Sequence, residues 1–379
     1  MIAVEKKEKG RNRKPMEEEK YYHWIYSIEG IGNKTLRKIL EVAEPKQIFE
    51  EGTGKIREIL VEEKLHFIEE KRKKHILEEE WDKLRKEGIR VSFYGSSSYP
   101  SKLKHIPDPP MILYQKGEPI KENSLSVAVV GARNCSSYGK MMARNLGKEL
   151  ARNGITVVSG MARGIDGISQ WAALEEGGKS IGVLGCGVQI CYPPENFPLY
   201  QRLERSGGVL SENLPYTKPA PGLFPRRNRL ISGLADVIVV IEAREKSGTL
   251  ITVDMALEQG KEVYCVPGRV TDDLSIGCNH LIKMGAGMIV SAEEFVEEIC
   301  KQQNWSYEKQ TEKQEETLEK QEKLILEALD TTPLFMDEII KRIRCNKKEE
   351  IPLQKLMEIL LQLQIKQKIC QEGQYYYKK

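Results

Sequence analysis

Between Ser124 and Ile299 the chain alternates short apolar runs with segments of helical periodicity, and this rhythm narrows its possible folds more than any other feature. The apolar runs are Leu125–Val130, Ile155–Val158, Ile181–Leu184, Gly208–Leu210, Val237–Ile241, Val263–Val266 and Met288–Val290. They have strand length, and most are rich in β-branched residues. Helical patterns near 139–152, 167–176, 249–259 and 280–284 lie between them. Such alternation builds βαβ units. The expected fold class is therefore α/β, with a parallel sheet covered by helices on both faces. Ligands of such sheets bind at the carboxyl ends of the strands, so the residues that follow each strand are where chemistry is expected.

The first of these turns reads Gly131-Ala132-Arg133-Asn134-Cys135-Ser136-Ser137-Tyr138-Gly139. It lacks the GxGxxG spacing of a dinucleotide site. As a glycine-bracketed turn with hydroxyls and an arginine, opening onto a helix, it still predicts an anion cradle. The second reads Ser159-Gly160-Met161-Ala162-Arg163-Gly164-Ile165-Asp166, and the third Gly185-Cys186-Gly187. The fifth, Glu242-Ala243-Arg244-Glu245-Lys246-Ser247-Gly248-Thr249, leads into another helix, and the sixth is Pro267-Gly268-Arg269. Between Ser124 and Ile165, six Lys/Arg stand against one acid.

The fourth strand enters the segment Glu212–Ile231, which carries Lys218, Arg226, Arg227, Asn228 and Arg229, the aromatic Phe224, and no acid after Glu212. Prolines at 215, 219, 221 and 225 predict an extended loop, with a helix starting just after Pro225. Guanidiniums for phosphates and a ring for a base are what single-stranded nucleic acid requires. This segment alone reads equally as a solvated basic loop. Four basic strand-end loops on one sheet edge favour phosphate binding.

At 379 residues the chain has room for two or three domains, and its net charge of +3 requires polyanion binding to come from local patches. Residues 1–20 are charged throughout and are expected to be disordered, with no apolar core for a signal peptide. Residues 21–87 read as a helical domain, in which Gly30-Ile31-Gly32 resembles a helix-hairpin-helix turn or a plain tight turn. The sheet domain spans 88–300, beginning with a strand at Ile89–Tyr94 and a proline-bearing segment, to Tyr114, laid against a sheet edge. A Gln/Glu/Lys-rich linker covers 301–320, and 321–379 read as three helices and a hairpin turning at Glu372-Gly373, a winged-helix pattern. Its nearly balanced charges suit a protein-contact or weak DNA-contact module. The eight cysteines form no CxxC pair and the five histidines no metal spacing with them. No apolar run reaches membrane-spanning length. A soluble cytoplasmic protein without metal or cofactor is expected.

The stretches VAVVGARNCSSYG, VVSGMARGIDGISQWAAL, LGCGVQICYPPEN, SENLP, FPRRNRLISGLAD, VVIEAREKSGTLITVDMALEQGKEVYCVPG and GCNHLIKMGA together resemble the DNA-processing protein A family (DprA, also called Smf), over roughly residues 90–300. The resemblance implies an extended Rossmann domain, often with a winged-helix tail. It implies a homodimer that binds single-stranded DNA, protects incoming strands in natural transformation and helps load the RecA recombinase. The implied binding residues are Gly131, Arg133, Ser136 and Gly139 in the first turn and Ser159, Gly160, Arg163 and Gly164 in the second. The basic loop contributes Lys218, Phe224, Arg226, Arg227, Asn228 and Arg229, and the fifth turn Lys246, Ser247 and Gly248. Leu281, Ile282 and Met284 are a candidate dimer surface or part of the core. The rival reading is a Rossmann-like phosphoribohydrolase, in which a glutamate does the chemistry. Thr252 stands where that glutamate would be, and a hydroxyl cannot replace a carboxylate as general base. Asp166, Glu212, Glu242 and Asp254 remain as carboxylates, Asp166 being expected as a helix cap. No enzymatic activity is expected.

Overall fold

Seven short strands of this chain, most of them buried on both faces, associate in parallel and make up all of one nine-stranded sheet except two strands at one edge. The computed structural model of the protein describes residues 18–73, 77–306, 320–329, 333–347, 351–366 and 368–378. Of the disorder expected for 1–20, residues 1–17 lie outside the described residues while Glu19 and Lys20 open the first helix, and most of the linker, 307–319, also lies outside. The strands are β1 (Arg90–Phe93), β2 (Ile112–Gly117), β3 (Ser126–Gly131), β4 (Thr156–Ser159), β5 (Ser180–Val183), β6 (Gly208–Ser211), β7 (Val237–Ile241), β8 (Glu262–Cys265) and β9 (Gly287–Met288). Their order is β1-β2-β6-β5-β4-β3-β7-β8-β9. From β3 the chain winds outward through β4, β5 and β6. It then returns to pair β7 on the opposite side of β3, in parallel register from Val127 with Val237 to Gly131 with Ile241. The strand order reverses there, and the crevice above β3 and β7 is the position at which such sheets take ligands.

β1 and β2 run antiparallel, β2 pairing with both β1 and β6. The segment expected to lie against the edge is thus a strand inside the sheet. Five helices precede it: α1 (Glu19–Tyr26), α2 (Asn33–Val42), α3 (Pro45–Glu51), α4 (Glu62–Lys73) and α5 (Leu77–Lys86). They close around Trp24, Ile25, Leu36, Ile39, Ile48, Ile56 and Ile68. Tyr22, Trp81 and Leu84 join Val91, Ile112, Tyr114 and Val209 in one apolar cluster, so helices and sheet share a core. After α6 (Ser101–Lys104), the helices of the sheet are α7 (Ser137–Arg152), α8 (Ile165–Glu175), α9 (Phe197–Ser206), α10 (Leu223–Leu234), α11 (Gly248–Glu258), α12 (Ile276–Lys283) and α13 (Ala292–Gln302). Alternate β3 residues divide between two cores. Ala128 and Val130 meet Leu230, Leu234, Val253 and Leu281 from α10–α12, while Val127 and Val129 meet Ala143, Leu146, Ala173 and Phe295 from α7, α8 and α13.

Residues 309–379 form a second compact unit. It contains α14 (Lys320–Ala328), β10 (Leu334–Phe335), α15 (Met336–Lys347), α16 (Leu353–Ile365), β11 (Ile369–Glu372) and β12 (Tyr375–Lys378), with sheet order β10-β12-β11. Gly373, at φ +62°, supplies the left-handed residue of the β11–β12 turn. Among the described residues, no helix is long and apolar enough to cross a membrane.

His23 ties α1 to the sheet, its Nδ1 lying 2.9 Å from the Tyr114 hydroxyl. Burial, and then the charge of Lys71, push its imidazole down from 6.5 to about 4. The folded protein holds it neutral, whereas the unfolded chain protonates it below about pH 6.5. Stability from this group is therefore intact above pH 6.5 and is lost as pH falls toward 4, by up to about 3 kcal/mol. Urea melts across this window should show a shallower acid loss in His23→Gln than in the parent. An identical slope would remove His23 as the cause.

Candidate nucleic-acid interface

The turn after β3 was expected to offer backbone N–H groups to an anion, and the structure fills it from within. Glu242, the first residue after β7, adopts φ +58°, a conformation that costs a non-glycine residue about 1–3 kcal/mol. Its buried carboxylate accepts the Ser136 backbone N–H at 2.9 Å and the Ser136 hydroxyl. Gly139 lies so close beneath it that any side chain there would collide with the carboxylate. Ser136 also caps α7, its Oγ accepting from the Gly139 N–H at 3.1 Å. Nearby, the Cys135 thiol and the Tyr138 phenol are both pushed up, first by burial and then by the Glu242 charge.

The second turn is filled in the same way. Asp166 is not the cap of α8, which is Gly164 at φ +72°. Its carboxylate reaches back to the Gly160 N–H at 3.1 Å. Burial raises the Asp166 carboxyl, opposed by the nearby Arg227 charge and by hydrogen bonds from this loop. The Ser159 hydroxyl is buried and donates to the Val129 carbonyl at 2.6 Å. Ser159, Gly160, Ser136 and Gly139 therefore hold the loops of the rim together through internal contacts.

The basic segment divides sharply. α10 begins at Leu223, not after Pro225, because a proline in the first turn forfeits an N–H that has no helical acceptor. The first turns of this helix leave Arg226 in solvent and carry Arg227 and Arg229 into the interior. Arg227 is 5 % exposed, with Nη1 donating to the carbonyls of Gly160 at 2.7 Å and of Val183, and Nε to Asn228 Oδ1 at 3.2 Å. Burial pushes it down to about 10, Asp166 opposing and Arg133 reinforcing the shift. Arg229 is 8 % exposed and bonds Glu212 at 2.6 Å, with Asp108 at 3.6 Å. Glu212 also accepts from Asn33 Nδ2 at 2.9 Å, and Asn33 Oδ1 accepts the Met111 N–H at 3.1 Å. The residue opening α2 is thus the joint between the helical unit and the sheet. Arg227 and Arg229 thus serve the fold as buried cations held by internal partners.

Arg133, Arg163, Lys218, Arg226, Lys246 and Gly248 are exposed. Gly131, Ser136, Gly164, Phe224, Asn228 and Ser247 are half-buried. Arg133 stands close enough to Arg227 to depress it, and Arg226 close enough to Tyr26 to act on its phenol. Arg163 pairs with Glu195 on the surface. Ser247 caps α11, accepting from Thr249 N at 3.2 Å, and the space beside Gly248 is open. Phe224 rests on the bare Cα of Gly185, and its ring centroid lies 5.4 Å from that of Tyr192, tilted by 37°. Tyr192 is exposed and had no part in the sequence expectation. Its only signal was an aromatic in the turn after the third parallel strand. The loop beneath is held by Gly187 N–H to Thr217 O and Gln189 N–H to Pro215 O, each 2.9 Å.

Residues 90–300 match the family model described as DNA recombination-mediator protein A. The chain belongs to this family. It is 44% identical over 216 residues to the DNA processing protein DprA of Bacillus subtilis, covering 57% of this chain and 73% of that one. It is 40% identical over 201 residues to the DprA of Streptococcus pneumoniae, covering 53% and 71%. The X-ray structure of the S. pneumoniae protein superposes with TM-score 0.64 at 32% identity, over 74% of this chain and 97% of that one. A structure of DNA processing protein A from Helicobacter pylori, described for its single-stranded DNA binding mode, superposes with TM-score 0.52 at 31% identity, over 56% and 97%. The family match coincides with the sheet and its strand-end loops.

The two kinds of arginine should separate on substitution. Arg229→Ala leaves the Glu212 carboxylate buried without its cation and should destabilise the fold by about 3–5 kcal/mol. Arg226→Ala, an exposed site, should lie within about 0.5 kcal/mol of the parent. Denaturant midpoints would measure both, and equal midpoints would contradict the division.

Proposed function

We propose that this chain binds single-stranded DNA along the carboxyl rim of its sheet and does so without chemistry. The observation that carries this reading is the set of exposed cations contributed by separate strand-end loops, Arg133, Arg163, Lys218, Arg226 and Lys246, around the half-exposed Phe224–Tyr192 ring pair. Cations take successive phosphates and the rings take a base face, an arrangement indifferent to sequence. Support comes also from the H. pylori relative, whose described property is binding single-stranded DNA. The non-catalytic reading rests on the rim carboxylates. Asp166, Glu212 and Glu242 are each engaged in internal hydrogen bonds, and Thr252 is buried.

In this reading the protein protects incoming strands during natural transformation and helps load the RecA recombinase onto them. It acts as a homodimer. Leu281 is buried in the core, but Met284, Met288 and Val290 are exposed around edge strand β9 and suit a second copy. Residues 321–379, with their helix-strand-helix-helix-strand-strand order, are a winged-helix module for protein or weak DNA contact. The Gly30–Asn33 turn, drawn into the fold by Asn33, serves as a joint.

Gel shifts with single-stranded and duplex oligonucleotides at two salt concentrations test the central claim. Single strands should bind more tightly, and affinity should fall steeply with salt. Arg226→Ala should weaken binding alike for all sequences and lower the log–log salt slope by about 0.7, the share of one phosphate. Equal affinity for duplex, or an unchanged slope, counts against the rim.

Stacking makes a separate demand. Phe224→Ala and Tyr192→Ala should each cost about 1–3 kcal/mol of oligonucleotide affinity while leaving the salt slope unchanged. Quenching of a 2-aminopurine base in the bound strand should be lost in the same variants. Retained quenching in both would place the bases elsewhere.

A further inference from the structure

The crevice above β3 and β7 has the parts of a phosphate site: a reversal of strand order, a sixteen-residue helix starting at Ser137, the serine hydroxyl that caps it and a glycine that permits close approach. Its occupant is the chain's own carboxylate. Glu242 accepts the Ser136 N–H and the Ser136 hydroxyl and lies directly over Gly139, which are the contacts a bound phosphate oxygen would make. The residue reaches this position from the last turn of backbone on β7 by taking φ +58°, which only glycine adopts without strain, and it is 3 % exposed. A buried anion repels a second anion, and its side chain also fills the volume.

We propose that Glu242 is a built-in phosphate surrogate that closes the switch-point crevice to free phosphates and mononucleotides. The chain then discriminates against small phosphorylated ligands. A polynucleotide can be held only by side chains outside the crevice. This inference concerns the crevice alone and stands whether or not the rim binds DNA. No signal for it is visible in the turn that forms the cradle, because the filling group comes from the strand on its other side.

Inorganic phosphate and adenosine 5′-monophosphate are the probes, with binding followed by calorimetry and by phosphorus NMR line broadening on the full chain. Glu242→Gly empties the cradle and relaxes the backbone. It should bind phosphate at least about tenfold more tightly than the parent, the size that one or two hydrogen bonds to an anion supply. Adding Ser136→Ala should abolish the gain, which a general loosening of the protein would not predict. Glu242→Asn, shorter by a methylene and tolerant of the same backbone, is the second variant should the glycine form fail to fold. A folded Gly or Asn variant as blind to phosphate as the parent overturns the proposal. So does a parent that already binds either probe with dependence on Ser136.

Discussion

The guanidinium of Arg227 is the interaction on which the carboxyl rim depends. A cation buried this deeply survives only where carbonyls and a carboxylate replace the water it has lost. The replacements come from three separate elements: Gly160 after β4, Val183 at the end of β5, and the Asp166 charge at the start of α8. Withdrawal of any one exposes the others to an uncompensated charge in the interior. The turn after β4 and the end of β5 are consequently fixed relative to α10, and α10 carries Phe224 and Arg226 on its outer side. Arg229, two residues on, does the same for the helical unit through Glu212 and Asn33. Two inward arginines hold the frame in which the outward ones are displayed.

The rim's electrostatics follow from the same economy. Helix N-termini and the backbone N–H groups of the turns before them carry partial positive charge, and at two turns the chain has spent that charge on its own acids, Glu242 and Asp166. Backbone dipoles therefore organise the loops and leave the exposed cations, on flexible stems, to face solvent. Flexible cations suit a polymer whose phosphates vary in position. A rigid amide cradle would suit a single fixed phosphate.

Much of this was legible in the sequence, for reasons that differ by element. The inner parallel strands announce themselves because residues such as those of Val237–Ile241 are buried on both faces and must be apolar without interruption. The choice of their carboxyl edge as the candidate site follows from topology. α9 passed unnoticed because Phe197–Ser206 opens with a proline and exposes half of its length. The prolines before β2 suggest a segment laid against the sheet edge, although its own residues Ile112–Tyr114 are wholly buried inside the sheet. The arginines were the hardest to read. Charge predicts exposure in nearly every context, and nothing local in Arg226-Arg227-Asn228-Arg229 says which side chains turn inward. That is decided by the position of Gly160, Asp166 and Glu212, 17 to 67 residues away in sequence.

A rim already held in place changes what binding costs. Loops that order only on contact subtract about 0.5–1.5 kcal/mol for each side chain immobilised. Here the segment from Ser211 to Thr217 is fastened beforehand by its hydrogen bonds to the turn after β5, and Phe224 is pinned on Gly185. Only the long cationic stems remain to be ordered, and each can settle on whichever phosphate lies nearest. In the proposed binding mode the frame thus supplies fixed stacking surfaces, while the tolerance for sequence and spacing lies in the side chains. Reversing those roles, with mobile rings and rigid cations, would produce a site selective for one short ligand instead of a track for a strand.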